Sequence, residues 1–483
     1  MTIRQITAAL VVLLSAACSG GESQAPVTMS VISDMPTTAI TALPRPDPIG
    51  LISATAQGLV AFDGEGRIEP ALAERWIVTD DGRSFIFRIR RTKWADGRPV
   101  TSAAVAQSLQ KQIGGSGQNR LKPLLSGIDR IIPMTGQVLE IRLKSPQQEF
   151  LQLLAQPEMA IFSGQSQNGA GPYQIHSVRS DVTRLRPVVI DTDEGAPARS
   201  QRDDIRVRRE PAARAIARFA AREIALVTGG GFAALPLVRP AGIASSQFST
   251  DPASGIFGLA VVRQSEALAN INVRRALAMA IDRERLLGRF GLSSWRAQYA
   301  LLPNQYDSAT PPAALEWVGL SRDIRIARAK AYIEGAGKVS AIRVALPTGP
   351  GARLLFGAIA ADWQRIGVSA VRVAMNDPAD LRLIDEVAPQ RSALWYIARL
   401  SCARGAACNV NAETALAAAL NAQSPADRAN ALAEADAAIA SDQVLIPIAS
   451  PLRWSLVSPD LIGWRANAFA AHPLRHFVAA QGR

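Results

Sequence analysis

The chain has 483 residues, of which 48% are apolar and 19% charged, with a formal net charge of +12. That is enough chain for two or three packed lobes, and too apolar a composition for a disordered protein. Its arginines are scattered through apolar-periodic segments, with no clustered basic tail and few aromatics between them, which argues against a nucleic-acid partner.

In chain order, Arg4 supplies a positive start and Ile6 to Leu14 an apolar run too short to span a bilayer. Small residues Ser15, Ala16 and Ala17 then precede Cys18. This is a signal peptide, and it resembles a bacterial lipoprotein signal in which Cys18 is acylated and anchors the protein to a membrane. Ser15 stands where such signals usually carry leucine, so cleavage near Ala17 without lipidation stays open. The following SGGESQAP reads as a flexible tether.

VTMSVIS (27–33) alternates as a strand should. In RSFIFRIRR, Phe85, Phe87 and Ile89 alternate with polar positions, Asp96-Gly97 supplies a turn, and Thr101 caps the helix of SAAVAQSLQKQI. VLEIRLKS is a second β segment, followed by helical QQEFLQLLAQ. AARAIARFAAREIALV reads as a helix running into a strand, with Arg214, Arg218 and Arg222 on a solvated face opposite Ile216 and Phe219. INVRRALAMAIDRERLL reads as one amphipathic helix, with Ala276, Leu277, Ala280 and Ile281 on its inner side. AIRVALPTG is a strand and loop, ARLLFGAIAADWQRIG a helix ending at Gly367, and VSAVRVAM a strand. RANALAEADAAIASD is helical and QVLIPIAS a buried strand. Alternating helices and strands predict an α/β protein.

Catalytic signatures are missing. The sequence holds no Walker phosphate loop, no G-x-S-x-G elbow and no H-E-x-x-H. TGGGF (228–232) lacks dinucleotide-binding spacing and reads as a loop. His176, His472 and His476 are the only histidines, dispersed along the chain, so neither a metal site nor a cofactor is expected. Beyond Cys18, only Cys402 and Cys408 remain; in an oxidising compartment they are placed to close a small disulfide loop, with free thiols the alternative.

Several segments, in this order, resemble the family 5 extracellular solute-binding proteins of ABC importers. The strongest block is GLVAFDGEGRIEPALAERWIVTDDGRSFIFRIRRTKWADGRPVTSAAVAQSL (58–109). Others are GAGPYQI (169–175), NVRRALAMAIDRERLL (272–287), LIPI (445–448) and IGWRAN (462–467). The resemblance implies a two-lobed periplasmic-binding-protein type II fold that closes on its ligand, with an additional small α/β domain. It divides the chain into a signal peptide (1–17), a tether (18–26), a first lobe (27–57, 165–255 and 445–483), an extra domain (58–164) and a second lobe (256–444). It also implies a periplasmic, monomeric binding protein that delivers a peptide or other small polar molecule to an ABC permease and its ATPase, without enzyme activity.

Peptide-binding relatives often carry an aspartate in a segment resembling Trp-x-x-Asp-Tyr-x-Asp-Pro. The corresponding stretch here is placed at LWYIARLSCARGAACNVN (394–411), which has no acid. It offers Trp395 and Tyr396 for apolar or stacking contact and Arg399 and Arg404 as anion partners, so a ligand with an exposed anionic or polar group is expected rather than a free-amino peptide. The alternative is that both arginines face solvent and an ammonium partner comes from elsewhere. The same lack of acids leaves room for a sensory or interaction lipoprotein on this scaffold.

Overall fold

A computed structural model describes residues 26–33, 51–114, 119–163, 169–179, 181–188, 204–262, 265–304, 306–404 and 407–479. The signal peptide, Cys18 and most of the tether lie outside them. No helix among the described residues is long and apolar enough to cross a membrane.

Three principal sheets organise the chain. The first has seven strands in the order Phe248–Thr250, Trp454–Val457, Leu226–Gly230, Val27–Ile32, Ile205–Glu210, Val182–Pro187 and Tyr173–Arg179. Val27–Ile32 runs parallel to both its neighbours at the centre, and Met29 and Val31 are buried there. The second sheet has five strands, ordered Ala370–Val373, Ile342–Ala345, Leu381–Val387, Gly255–Val261 and Leu445–Ala449. Every residue of Gly255–Val261 and Leu445–Ala449 is buried, as a near-continuous apolar run requires when both faces are covered. The third is an antiparallel sheet of Ala73–Val78, Ser84–Ile89, Val138–Leu143 and Ile128–Thr135. Phe85, Phe87 and Ile89 point into its core, as their alternation requires. Thr101 Oγ1 accepts from the Ala104 amide at the start of helix Ser102–Gly114.

The sequence 271–288 forms two helices rather than one. Ile271–Ala280 stops because Asp282 turns to cap Arg283–Gly288, accepting from the Arg285 amide. Fully buried Trp363 of helix Pro350–Gln364 then donates to the Leu277 carbonyl at 3.0 Å, fixing that helix against the first of the pair.

The strand Leu445–Ala449, expected in the first lobe, is an edge strand of the second sheet. It pairs with Gly255–Val261, so the chain returns to the first sheet only after Ala449. Two short segments therefore join the sheets: 251–254, after Phe248–Thr250, and 450–453, before Trp454–Val457. They are tied together, the Asp251 amide donating to the Arg453 carbonyl at 3.0 Å.

A charged cavity at the junction of the lobes

A cavity of about 370 Å³ opens beside these two connections, walled by both large sheets, by Arg120 and residues 155–158, and by the C-terminal segment. Its volume lies at the small end of the ~300–1,000 Å³ of ligand pockets.

The first sheet contributes Thr228–Gly230 and Trp454. TGGGF thus begins within a strand and forms part of the cavity wall. A Cβ on Gly230 would lie 2.2 Å from the Trp454 ring, so only glycine lets the indole pack flat on the strand. Gly229, at φ +77°, takes a backbone conformation that favours glycine.

The C-terminal segment is shaped by Asn467, which is buried. Its Nδ2 donates to the carbonyls of Gly64 and Ala471 at 3.2 and 2.7 Å, and its Oδ1 accepts from the amides of Phe469 and Ala471. This curls the chain so that Phe469 stacks on Phe62 at 4.4 Å and His472 reaches Asp251 at 3.1 Å. Asp251 also accepts from the Asn467 amide. Asp251 therefore ties two points of the segment to the junction.

The remaining wall mixes apolar side chains with charged ones. Asp385 and Glu386, adjacent on strand Leu381–Val387, both line the cavity. Arg453 donates to the Asp385 carboxylate at 2.8 Å and to its carbonyl at 3.0 Å. Burial pushes the Asp385 carboxyl up; the Arg453 charge and hydrogen bond oppose this, and neighbouring Glu386 reinforces it. Arg399 grips Glu386 with two bonds. Burial also raises Glu386, but those bonds and the charges of Arg399, Arg120 and Arg404 outweigh it and hold the carboxyl below its usual range. Arg120 pairs with Glu158 at 2.7 Å, and both face the cavity. Each of these carboxylates is thus held by a guanidinium, which makes the wall a pre-organised surface for a polar guest.

The residues singled out in the sequence sit around this cavity rather than on it. Tyr396 is fully buried and Trp395 nearly so, packed in a core that runs from the four-stranded sheet into helices Ala393–Arg399 and Pro425–Asp442. Burial and neighbouring Tyr306 push the Tyr396 phenol far up. Arg399 acts through Glu386. The Arg404 guanidinium donates to the Arg120 carbonyl. Cys402 and Cys408 form a disulfide, with Cα atoms 4.9 Å apart. The carboxylates Asp385, Glu386, Asp251 and Glu158 were not found by sequence reasoning. The acids that face this cavity thus come from elements other than 394–411, and arginines line it beside them.

The chain matches the model of the bacterial extracellular solute-binding proteins, family 5 (middle), over residues 67–429. It belongs to that family. The probable deoxycholate-binding periplasmic protein YgiS of Escherichia coli K12 is 41% identical over 58 residues, 12% of this chain and 11% of that protein. The glutathione-binding protein GsiB of Salmonella choleraesuis is 29% identical over 154 residues, 29% of this chain and 30% of that one. The match thus spans a tenth to a third of the length of these relatives. Across the fold the likeness is far wider. The murein tripeptide binding protein MppA of Escherichia coli superposes with a TM-score of 0.81 at 20% identity, covering 95% of this chain and 99% of that one. Against the unliganded open form of MppA, at 19% identity and with 95% and 98% coverage, the TM-score is 0.64. The family 5 chain described here accordingly has the two-lobed α/β architecture of periplasmic binding proteins.

Proposed function

We propose that this protein is the solute-binding component of an ABC importer, taking up a small polar, peptide-sized ligand in the junction cavity and delivering it to a membrane permease. The observation that carries this reading is the shared wall: Asp385 and Glu386 from one lobe, Thr228–Gly230 from the other and Arg120 with Glu158 from the extra domain face a single space. A guest touching all three favours the state in which they are together. The lower superposition score on an open, unliganded relative supports reading the present arrangement as closed.

The paired charges suit a ligand carrying both signs. An ammonium exchanges into the carboxylates, and a carboxylate or phosphate into the guanidinium groups, with little rearrangement of the wall. Relatives named for glutathione and a murein tripeptide support a ligand of that size and charge. Capture and release are the whole activity in this reading, with no covalent chemistry. Export follows from the signal peptide, and acylation of Cys18 would tether a monomer to the periplasmic side of a membrane.

The test is a thermal-shift screen of purified protein against di- and tripeptides, glutathione and bile salts. A true ligand at one hundred times its Kd stabilises by about 2.7 kcal/mol. A screen in which several unrelated compounds shift melting equally, or in which an Asp385→Asn, Glu386→Gln double variant responds like the wild type, would overturn the assignment of the cavity.

A further inference from the structure

The geometry points to Arg404 as a positioning residue for the cavity, set in place by the Cys402–Cys408 disulfide. This deepens, and rests on, the reading of that cavity as the ligand site.

Arg404 ends the short helix Cys402–Arg404 of the second lobe. Its Nη2 crosses to the extra domain and donates to the carbonyl of Arg120. The Arg120 side chain pairs with Glu158, and both of those residues line the cavity. Leu121, next along the chain, is buried in the core that continues into the second lobe. Arg404 thus holds from behind the backbone that presents Arg120 to a guest.

The position is an uncomfortable one for a cation. Arg404 is half buried and has Arg399 and Arg120 as neighbours, while Glu386, the carboxylate closest in influence, is already gripped by Arg399. Like charges brought together at reduced solvation repel. An unrestrained loop would relieve this by swinging Arg404 into water, and side-chain entropy would favour that move. The disulfide brackets Arg404 and denies the loop much of that freedom. Two further bonds fasten the same loop: the Cys402 amide donates to Glu413 Oε1 at 2.7 Å, and the Ala407 amide to the Val261 carbonyl at 2.6 Å, on a central strand of the second sheet. Cys402 and Ala407 are thus fastened to the second lobe, while Arg404 reaches across to the backbone of Arg120.

The seam has other contacts that do not involve the disulfide. Gln156 Nε2 donates to the Pro389 carbonyl at 2.7 Å, and Gln152 Oε1 accepts from the Arg391 amide at 2.9 Å. They serve as internal controls.

The test uses full-length, ligand-free protein and two readouts: amide hydrogen exchange at 119–125 and radius of gyration by X-ray scattering. Arg404→Ala, a Cys402→Ser, Cys408→Ser double variant, and wild type reduced with a phosphine are each compared with oxidised wild type. Expected are severalfold faster exchange at 119–125 and a larger radius in all three. Arg404→Lys should restore the slow exchange, and combining Arg404→Ala with loss of the disulfide should add nothing further. Gln156→Ala should loosen the seam equally with the disulfide intact or reduced. Reduced wild type covers the case in which the serine variant fails to fold. The proposal is overturned if disulfide loss leaves exchange at 119–125 unchanged, or if its effect adds fully to that of Arg404→Ala. Neither readout needs a ligand, so a failure here leaves the cavity reading standing, and a failed ligand screen leaves this result standing.

Discussion

Arg399 holds Glu386 at 2.9 and 2.7 Å through two bonds, so a residue one step removed from the cavity stabilises the charge of one of its wall carboxylates. Each partner is only a fifth to a quarter exposed. Arg399→Ala strips a partly buried carboxylate of its main partner, and is expected to cost on the order of 2 kcal/mol. The pH dependence has a definite sign. The Glu386 carboxyl is lowered in the folded state, so its contribution is present above the ordinary glutamate value, about 4.3, and is lost as pH falls through the folded value. Urea unfolding from pH 6 down to pH 3 should show wild type and Arg399→Ala converging as acid removes what the variant already lacks. A constant gap across that range would contradict the assignment.

Asp385 behaves oppositely. Its folded-state value is raised, with burial the leading cause. Ionising it therefore costs more in the folded protein than in the unfolded chain. Stability from this group falls as pH rises from the ordinary aspartate value, about 3.9, through the folded value, and levels off beyond it. Asp385→Asn should flatten that part of the stability profile. Its loss of the Arg453 partner should appear as an offset on the alkaline side, read in the same unfolding series.

Gly230 admits no side chain. Gly230→Ala would drive a methyl into the Trp454 ring, and overpacking of this kind costs about 1–3 kcal/mol. The indole also lines the cavity, so ligand affinity should drop along with melting temperature. Gly242, whose added Cβ meets nothing within 4 Å, supplies a control, since only its φ of +66° opposes alanine there.

Asn467→Ala removes the partners of two half-buried amides and two carbonyls at once. A loss of about 2–4 kcal/mol is expected, at about 1 kcal/mol per bond with the groups partly re-solvated. Hydrogen exchange should locate it at 464–473, with the two large sheets unaffected.

Local signals in the sequence carried a good part of the fold. Phe85, Phe87 and Ile89 alternate because one face of their strand is buried, and Thr101 caps its helix through the bond its position suggests. Residues 271–287 read as one helix because apolar periodicity continues through the break, while the Asp282 cap that makes the break is a single residue. The cavity was harder to read. Trp395 and Tyr396 look like ligand contacts by residue type, yet Ala393 to Ala398 are buried all round, and a helix with no polar face belongs to a core. Asp385 and Glu386 lie in a strand whose partners, Gly255–Val261 and Ile342–Ala345, are distant in sequence. Nothing local marks them as facing Arg120 or Arg453. Such a juxtaposition is set by the topology of two crossing segments, and chain order alone does not display it.

The most direct measurement is native mass spectrometry of protein purified gently from its own envelope, beside the same protein unfolded and refolded in ligand-free buffer. The account predicts a single small adduct, carrying charges of both signs, that refolding removes and that Glu386→Gln fails to retain. Identical masses before and after refolding, in a protein that no small polar solute then compacts or stabilises, would contradict it.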